Sequence, residues 1–161
     1  MVRTENFVEA LRGHAFLQDF HEDHLEILAR LATPVSFDAD EIVFRLGEVT
    51  GYFYLITSGT ISLEMGEGGD SSEIARLRRG EELGWSSLLK RTGKHFEARA
   101  VTDVQALAFE GNRLRLACEN DPAFGYALMK RLFEVVTARL EAVRTNVIDA
   151  ERLSSKWLCE P

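Results

Sequence analysis

The spacing of apolar residues changes twice along this chain, and that change constrains the fold more than any other feature of the sequence. Apolar residues recur at helical spacing over 1–31, alternate with polar residues over 32–110, and return to helical spacing over 111–155. Helices repeat about every 3.6 residues and half-buried strands about every two. The sequence therefore predicts N-terminal helices, a β region and C-terminal helices, within one domain spanning 1–161 because the length suits a single core.

Capping residues mark the first two helices. Thr4 is a good N-cap for a helix that runs to Arg12, and Asp19 or Glu22 opens a second helix that Pro34 ends. Side chains of this kind accept hydrogen bonds from the unpaired backbone N–H groups of a first turn, and proline stops a helix. Both helices belong to the predicted N-terminal segment.

The middle of the chain predicts a rolled antiparallel sheet. Short alternating runs such as 52–56 are separated by turn residues, among them Gly47, Ser58 and Gly59. Glycine suits such turns because it adopts positive φ without a Cβ clash. Several short strands with this spacing are typical of a β-sandwich or a barrel-like roll.

One long helix is predicted near the C-terminus. Asn120, Asp121 and Pro122 form a start signal, since a capping side chain is followed by proline in the first turn. The pattern then stays helical from Ala123 to about Leu153, which corresponds to roughly 45 Å at 1.5 Å per residue. A helix of that length projects beyond a domain of this size.

The long helix carries an apolar seam at alternating spacings of three and four residues, typical of a two-stranded coiled coil. A second stripe, formed by Leu128, Leu132 and Val135, lies on a neighbouring face. One stripe can pack on the roll while the seam meets a partner, and the alternative is one broad core-facing stripe on a monomer. We expect a homodimer through this helix. The seam consists of Tyr126, Met129, Phe133, Val136, Leu140, Val143 and Val147.

The predicted fold class is therefore α+β: an eight-stranded antiparallel β-roll, jelly-roll-like, with N-terminal helices and a long C-terminal dimerisation helix. The net charge of −7 argues against direct binding of duplex DNA, which requires a basic face. Cys118 and Cys159 are too few for an iron–sulfur cluster. No signal peptide or membrane span is visible, so we expect a cytoplasmic protein that contacts no membrane.

A family resemblance rests on the segment FRLGEVTGYFYLITSGTISL, residues 44–63. This segment resembles the cyclic-nucleotide-binding domain of the catabolite-activator and cyclic-nucleotide regulator family, and the likeness extends over 16–147. The family pattern is an aromatic residue, Gly-Glu, a spacer, a tyrosine with an aliphatic pair, and a glycine that begins the next strand. It is matched by Phe44, Gly47, Glu48, Tyr54, Leu55, Ile56, Gly59 and Ile61.

The resemblance implies a phosphate-binding cassette between two strands. In the family a one-turn helix presents N–H groups and a hydroxyl to the cyclic phosphate, an arginine pairs with the phosphate, and a glutamate accepts a hydrogen bond from the ribose hydroxyl. Here the cassette would begin at Gly84, and Trp85, Ser86 and Ser87 would form its helix. These four residues are candidate ligand-binding residues.

Two positions depart from the family pattern. Trp85 stands where the family has glutamate, and an indole offers no acceptor for a ribose hydroxyl. The arginine position falls on Lys94, with Arg91 or His95 as alternatives, and a lysine binds phosphate as a point charge. The remaining candidate ligand-binding residues are Arg99, in the basic cluster after the cassette, and Arg139, near the base-contacting positions of the long helix.

The sequence favours a non-catalytic regulatory or sensor module that binds a small anionic ligand by contacts other than the usual cyclic-AMP contacts. The alternative is a dimeric protein-interaction scaffold with a degenerate, ligand-free pocket. No catalytic set is recognisable, and His21 and His24 lack a third ligand, so we expect neither an enzyme nor a metal site. No cofactor is certain, although a cyclic nucleotide or another small anion is possible. The family's helix-turn-helix is not expected in this chain, and output would pass to an unknown protein partner.

Overall fold

The computed structural model describes residues 2–49, 51–66, 71–89 and 93–157. Helices stand at both ends of the chain and strands occupy the middle, as the change of apolar period predicts. Two short 3-10 helices, Ala15–Leu17 and Trp85–Leu88, interrupt this order. The α-helices are α1 (Val2–Arg12), α2 (Glu22–Leu31), α3 (Gly111–Asn120) and α4 (Pro122–Trp157).

The described residues form eight strands in two four-stranded antiparallel sheets. One sheet has the strand order β1-β8-β3-β6, and the other has the order β2-β7-β4-β5. The predicted α+β class with an eight-stranded antiparallel β-roll is confirmed. The strands are β1 (Thr33–Phe37), β2 (Ile42–Phe44), β3 (Tyr52–Ser58), β4 (Thr60–Met65), β5 (Ser72–Arg78), β6 (Glu82–Leu83), β7 (Glu97–Ala100) and β8 (Val104–Glu110).

Strand β3 is buried on both faces, and it separates two apolar cores. Phe53 and Leu55 pack into the core shared with the helices, whereas Tyr54 and Ile56 pack into the core between the sheets. Side chains alternate across a strand, so each face of β3 meets a different core. This explains why residues 52–56 are an unbroken apolar run instead of a clean alternation.

Several boundaries differ from the sequence-based expectation. Helix α1 begins at Val2, so Thr4 is inside the helix and is not its N-cap. Of the two proposed starts for α2, Glu22 is correct, and Asp19 adopts a positive φ of 71° before it. Strands β6 and β7 have two and four residues, too few to show an alternating pattern in the sequence.

The apolar stripes of α4 divide as the sequence predicts. Leu128 and Leu132 are buried in the helical core, and Val135 packs against it. The seam faces away from the roll: the exposed fractions are 71% for Tyr126 and 73% for Phe133. The exposed seam leaves a long apolar face of α4 uncovered by the roll.

No helix in the described part of the chain combines the length and the apolar character that crossing a membrane requires.

Gly59 is constrained by its φ of +89° and by the neighbouring backbone. A Cβ there would lie 2.3 Å from the carbonyl oxygen of Asp103 and 2.9 Å from Cα of Val104. Gly47 has a similar φ of +76° but open space at the Cβ position. Substitution of each glycine by alanine therefore distinguishes the free-energy cost of left-handed backbone from the cost of a steric clash.

We expect Gly59→Ala to lower the free energy of unfolding by roughly 3 kcal/mol or more, and Gly47→Ala by about 1–2 kcal/mol. The smaller cost is that of left-handed backbone alone, and the larger includes movement of the strand that contains Val104. Urea denaturation measures both. Equal losses for the two variants would contradict the proposed clash.

Candidate functional site

The candidate cassette begins where β6 ends. Gly84 has a φ of 82°, and the one-turn 3-10 helix Trp85–Leu88 follows it, as expected from the sequence. A Cβ on Gly84 would lie 2.6 Å from the carbonyl oxygen of Tyr52, so the close approach of β3 requires glycine here. The N–H group of Ser87 donates to the carbonyl oxygen of Gly84 at 2.9 Å and closes the turn.

The Lys94 side chain lies inside this cassette and is only 3% exposed. Its Nζ donates to the carbonyl oxygens of Tyr52 and Gly84, at 3.3 Å each. The ammonium also lies 4.9 Å from the ring centroid of Phe44, within the range of a cation–π contact. The protein therefore satisfies the ammonium group with its own backbone and an aromatic ring.

Burial lowers the pKa of Lys94 to about 8, because removal from water disfavours the charged form. The nearby Glu48 carboxylate acts in the opposite direction and raises that pKa. Backbone bonds fix the position of Lys94 as well, since its N–H donates to the carbonyl oxygen of Glu48 at 3.0 Å. The loop that contains Lys94 is thus bound to the loop before β3.

Trp85 is stacked against His95. The ring centroids are 5.2 Å apart and the ring planes differ by 20°. Trp85 also packs against the helical core, so the indole bridges the cassette and the body of the domain. An aromatic pair therefore stands at the start of the cassette.

Glu82 is a further charged residue of the site, and the sequence analysis did not single it out. It is 1% exposed, and its Oε1 accepts a hydrogen bond from Nη2 of Arg139 on α4. The same nitrogen donates to the backbone carbonyl oxygen of Glu82 at 2.8 Å. In the sequence, Glu82 is simply a glutamate beside Leu83, and a strand of two residues is too short to show that this glutamate is buried.

Burial raises the pKa of Glu82 to about 7. Desolvation is the largest cause, the guanidinium of Arg139 opposes it, and Glu81 adds to the rise. Among the described residues, Oε2 of Glu82 has no hydrogen-bond partner. A buried carboxylate with one unpaired oxygen is costly to keep ionised, which agrees with the direction of the shift.

The space left inside the cassette is about 20 Å³. That volume holds about one water molecule, whereas small-molecule sites measure about 300–1,000 Å³. The described residues of the cassette, which exclude 90–92, therefore leave no room for a nucleotide without movement of their side chains. The residues around this space include Gly84, Trp85, Ser86, Lys94, His95 and Arg139.

The other candidate ligand-binding residues lie elsewhere. Arg99 is on β7, where Ala98 and Ala100 face the core, so its side chain points outward. It donates to the carbonyl oxygen of Asp40 at 3.2 Å and to Oε1 of Glu97 at 3.0 Å, away from the cassette.

Ser87 belongs to the cassette helix but does not line the small cavity. It is 6% exposed, and its Oγ has no hydrogen-bond partner within the described ranges. Its carbonyl oxygen lies against Gly111, where a Cβ would come within 2.3 Å. Arg91, the alternative partner for a phosphate, lies outside the described residues.

Comparison with protein-family models places residues 34–121 in the cyclic nucleotide-binding domain. The matched region includes the roll, the cassette and α3, and it is more than half of the chain. The chain belongs to the cyclic nucleotide-binding domain family.

The domain is similar to a cyclic nucleotide-binding protein of Geobacter metallireducens, with 28% identity and a TM-score of 0.72 over 82% of this chain and 96% of that one. It shares the fold of the Thermus thermophilus catabolite activator protein, with 21% identity and a TM-score of 0.69 over 87% of this chain and 63% of that one.

Two further relatives connect the domain to larger proteins. A regulatory subunit of a cAMP-independent protein kinase A from Trypanosoma brucei has the same fold, with 17% identity and a TM-score of 0.75 over 90% of this chain and 50% of that one. A potassium channel protein of Rhodopseudomonas palustris is 28% identical over 104 residues, which are 65% of this chain and 24% of that protein. The chain thus spans about a quarter of that curated relative.

The raised pKa of Glu82 predicts how stability depends on pH. Between about pH 4.5 and about pH 7 the folded protein keeps the Glu82 proton and the unfolded chain loses it. Rising pH therefore favours the unfolded chain throughout that window. We expect the stability of the parent relative to Glu82→Gln to fall by up to about 3 kcal/mol across the window and to stay level above it.

Urea denaturation of both proteins at several pH values measures this difference. His14, whose pKa is lowered by burial, is common to both proteins and cancels in the comparison. If the difference in the free energy of unfolding between the two proteins is constant with pH, the pKa of Glu82 is the same in the folded and unfolded chains, which would contradict the prediction.

Proposed function

We propose that this chain is a non-catalytic regulatory module whose cassette is filled by its own side chains, and that it acts as a dimeric protein-interaction scaffold. The observation that carries the proposal is the Lys94 ammonium, which is bound by two backbone carbonyl oxygens inside a cavity of about 20 Å³. This favours the second of the two hypotheses drawn from the sequence.

The cation that the resemblance places near the family's arginine position already has partners within the chain. Two of the three ammonium hydrogens of Lys94 are used by Tyr52 and Gly84, and Phe44 covers another side of the group. A phosphate would have to replace carbonyl partners that hold the cassette against β3. Leaving those buried carbonyl oxygens unpaired costs free energy, so ligand entry is opposed.

The aromatic pair supports the same proposal. Trp85, which the resemblance matches to the family's sugar-binding carboxylate, stacks on His95 and also packs on the helical core. Opening the pocket therefore requires separation of a stacked pair as well as displacement of Lys94. A regulatory subunit of similar fold is described as cAMP-independent, so this fold is compatible with regulation that does not use cyclic AMP.

A second candidate function is the binding of a small anion in a rearranged cassette. It is favoured by the buried Ser87 Oγ, which has no hydrogen-bond partner among the described residues, and by Arg139 at the cavity. An inorganic anion requires far less room than a nucleotide. This candidate differs from the first in predicting stabilisation by ligand.

We expect the melting temperature to stay unchanged when cyclic AMP, cyclic GMP or inorganic phosphate is added, because the cassette is already filled. A ligand at about one hundred times its Kd would add about 2.7 kcal/mol, which is easily measured by a thermal-shift titration. A rise that Lys94→Met removes and Arg99→Met keeps would overturn the filled-cassette proposal and favour the anion-binding candidate. Arg99→Met is the matched control because Arg99 is a cation on the outer face.

The dimer is proposed from the uncovered face of α4. Its seam continues in heptad spacing beyond the roll, and Leu140 and Val147 are 69% and 52% exposed. Apolar seams of this kind are stabilised by an equivalent helix, since a two-fold arrangement buries the same residues on both chains. A second copy of the chain is therefore the proposed occupant.

We expect Leu140→Asp to convert the dimer to a monomer, because a carboxylate at a seam position would be buried without a partner. Leu116→Asp, on α3, is the control: Leu116 is 56% exposed and lies outside the seam. Sedimentation velocity of the parent and both variants gives the result. If the parent and Leu140→Asp sediment as the same species, the seam is not the dimer interface.

A further inference from the structure

The long helix is bound to the rest of the domain by two arginines that lie two turns apart. Arg131 donates from Nε to the carbonyl oxygen of Phe16 at 2.8 Å and from Nη2 to that of Ala15 at 3.0 Å. Arg139 pairs with Glu82 at the start of the cassette. Both arginines line one groove between α4 and the roll.

Arg139 is the last point at which a described side chain of α4 is withdrawn from solvent. Its side chain is 22% exposed, whereas every described side chain from 140 to 149 is exposed. The contact between Arg139 and Glu82 therefore lies where α4 leaves the roll. No other described ion pair joins α4 to a strand.

The partner of Arg139 is directly connected to the cassette. Glu82 is one of the two residues of β6, and Gly84 and Trp85 follow within three positions. Strand β6 pairs with β3 through Leu55 and Tyr54, so Glu82 is on a rigid element and not on a loop. A change in the charge of Glu82 would therefore act on contacts with both α4 and the cassette.

We propose that the Glu82–Arg139 pair is a proton-sensitive latch, which fixes α4 to β6 when Glu82 is ionised and releases the helix from Arg139 onward when Glu82 is protonated. The latch goes beyond the proposed function, because it requires neither a ligand nor a dimer. Loss of charge on one member of a buried pair removes most of its attraction, while the other charge stays poorly solvated. Arg139 then gains by moving into water, and the helix moves with it. Glu82 stays buried against β3 and loses the guanidinium that lowered its pKa, so the released state binds the proton more tightly than the latched state.

The surroundings of the pair agree with titration near neutral pH, since the pKa of Glu82 is raised to about 7. Desolvation causes this rise, and the guanidinium of Arg139 limits it. Protonation leaves the carbonyl oxygen of Glu82 as an acceptor for Arg139, and release requires that this remaining hydrogen bond also breaks. The charged or titratable side chains on the elements around β6 include Arg139, Arg131, Glu81, Lys94, His95 and Tyr54.

The latch can be tested by a distance measurement between the roll and the distal helix. Nitroxide labels are placed at Ser72→Cys, on the exposed end of β5, and at Glu141→Cys, on exposed α4, after Cys118→Ser and Cys159→Ser. Dilution with unlabelled chain restricts pulsed dipolar spectroscopy to distances within one chain. The measurement therefore does not depend on whether the chain is a monomer or a dimer.

We expect one narrow distance distribution at about pH 8.5, and a broader distribution at about pH 5.5, where roughly thirty Glu82 carboxyls are protonated for each ionised one. Glu82→Gln, which imitates the protonated side chain, should be broad at both pH values, and Arg139→Met should behave in the same way. Glu81→Gln, the neighbouring carboxylate on the surface, is the matched control and should follow the parent.

Each alternative outcome overturns a stated part of the proposal. If Glu82→Gln and Arg139→Met give the narrow distribution of the parent at about pH 8.5, the pair does not hold the helix. If both variants give a broad distance distribution but the parent gives the same distribution at both pH values, the pair holds the helix independently of pH. The proton-sensitive latch is then wrong. If Glu81→Gln is as broad as Glu82→Gln, the effect arises from surface charge and the latch is likewise overturned.

Discussion

The internal solvation of the Lys94 ammonium is the interaction on which the cassette depends. A buried ammonium needs hydrogen-bond acceptors, and it takes them from Tyr52 on β3 and from Gly84 at the start of the cassette. Three separate segments are thereby held at one point. The lack of a Cβ on Gly84 makes this possible, because any side chain there would collide with the carbonyl oxygen of Tyr52.

Strand β3 extends this constraint to the whole domain. Its outward residues Phe53 and Leu55 belong to the core shared with the helices, and its inward residues belong to the core between the sheets. The same strand supplies the carbonyl oxygen that binds Lys94 and pairs with β6, which contains Glu82. Displacement of the cassette would therefore disturb the strand that both cores share.

Periodic features of the fold could be predicted from the sequence, and specific partners could not. The exposed seam of α4 and the buried Leu128 follow from spacing alone, because a helix turns through a fixed angle per residue. The pair between Glu82 and Arg139 joins residues 57 positions apart, and nothing in either local sequence indicates it. Arg99 was a reasonable candidate as a cation near the cassette, but alternation on β7 directs it outward.

The Glu82 carboxylate affects which kinds of ligand can regulate this domain. It supplies an anion to Arg139 at the cavity edge, so a dissolved anion would have to compete with a group of the same chain. Groups fixed in one molecule meet at effective concentrations of about millimolar or more, which a scarce ligand does not reach. A proton avoids this competition, because it neutralises the internal carboxylate directly. Charge at Glu82 is thus a more direct control of α4 than ligand binding at the cassette.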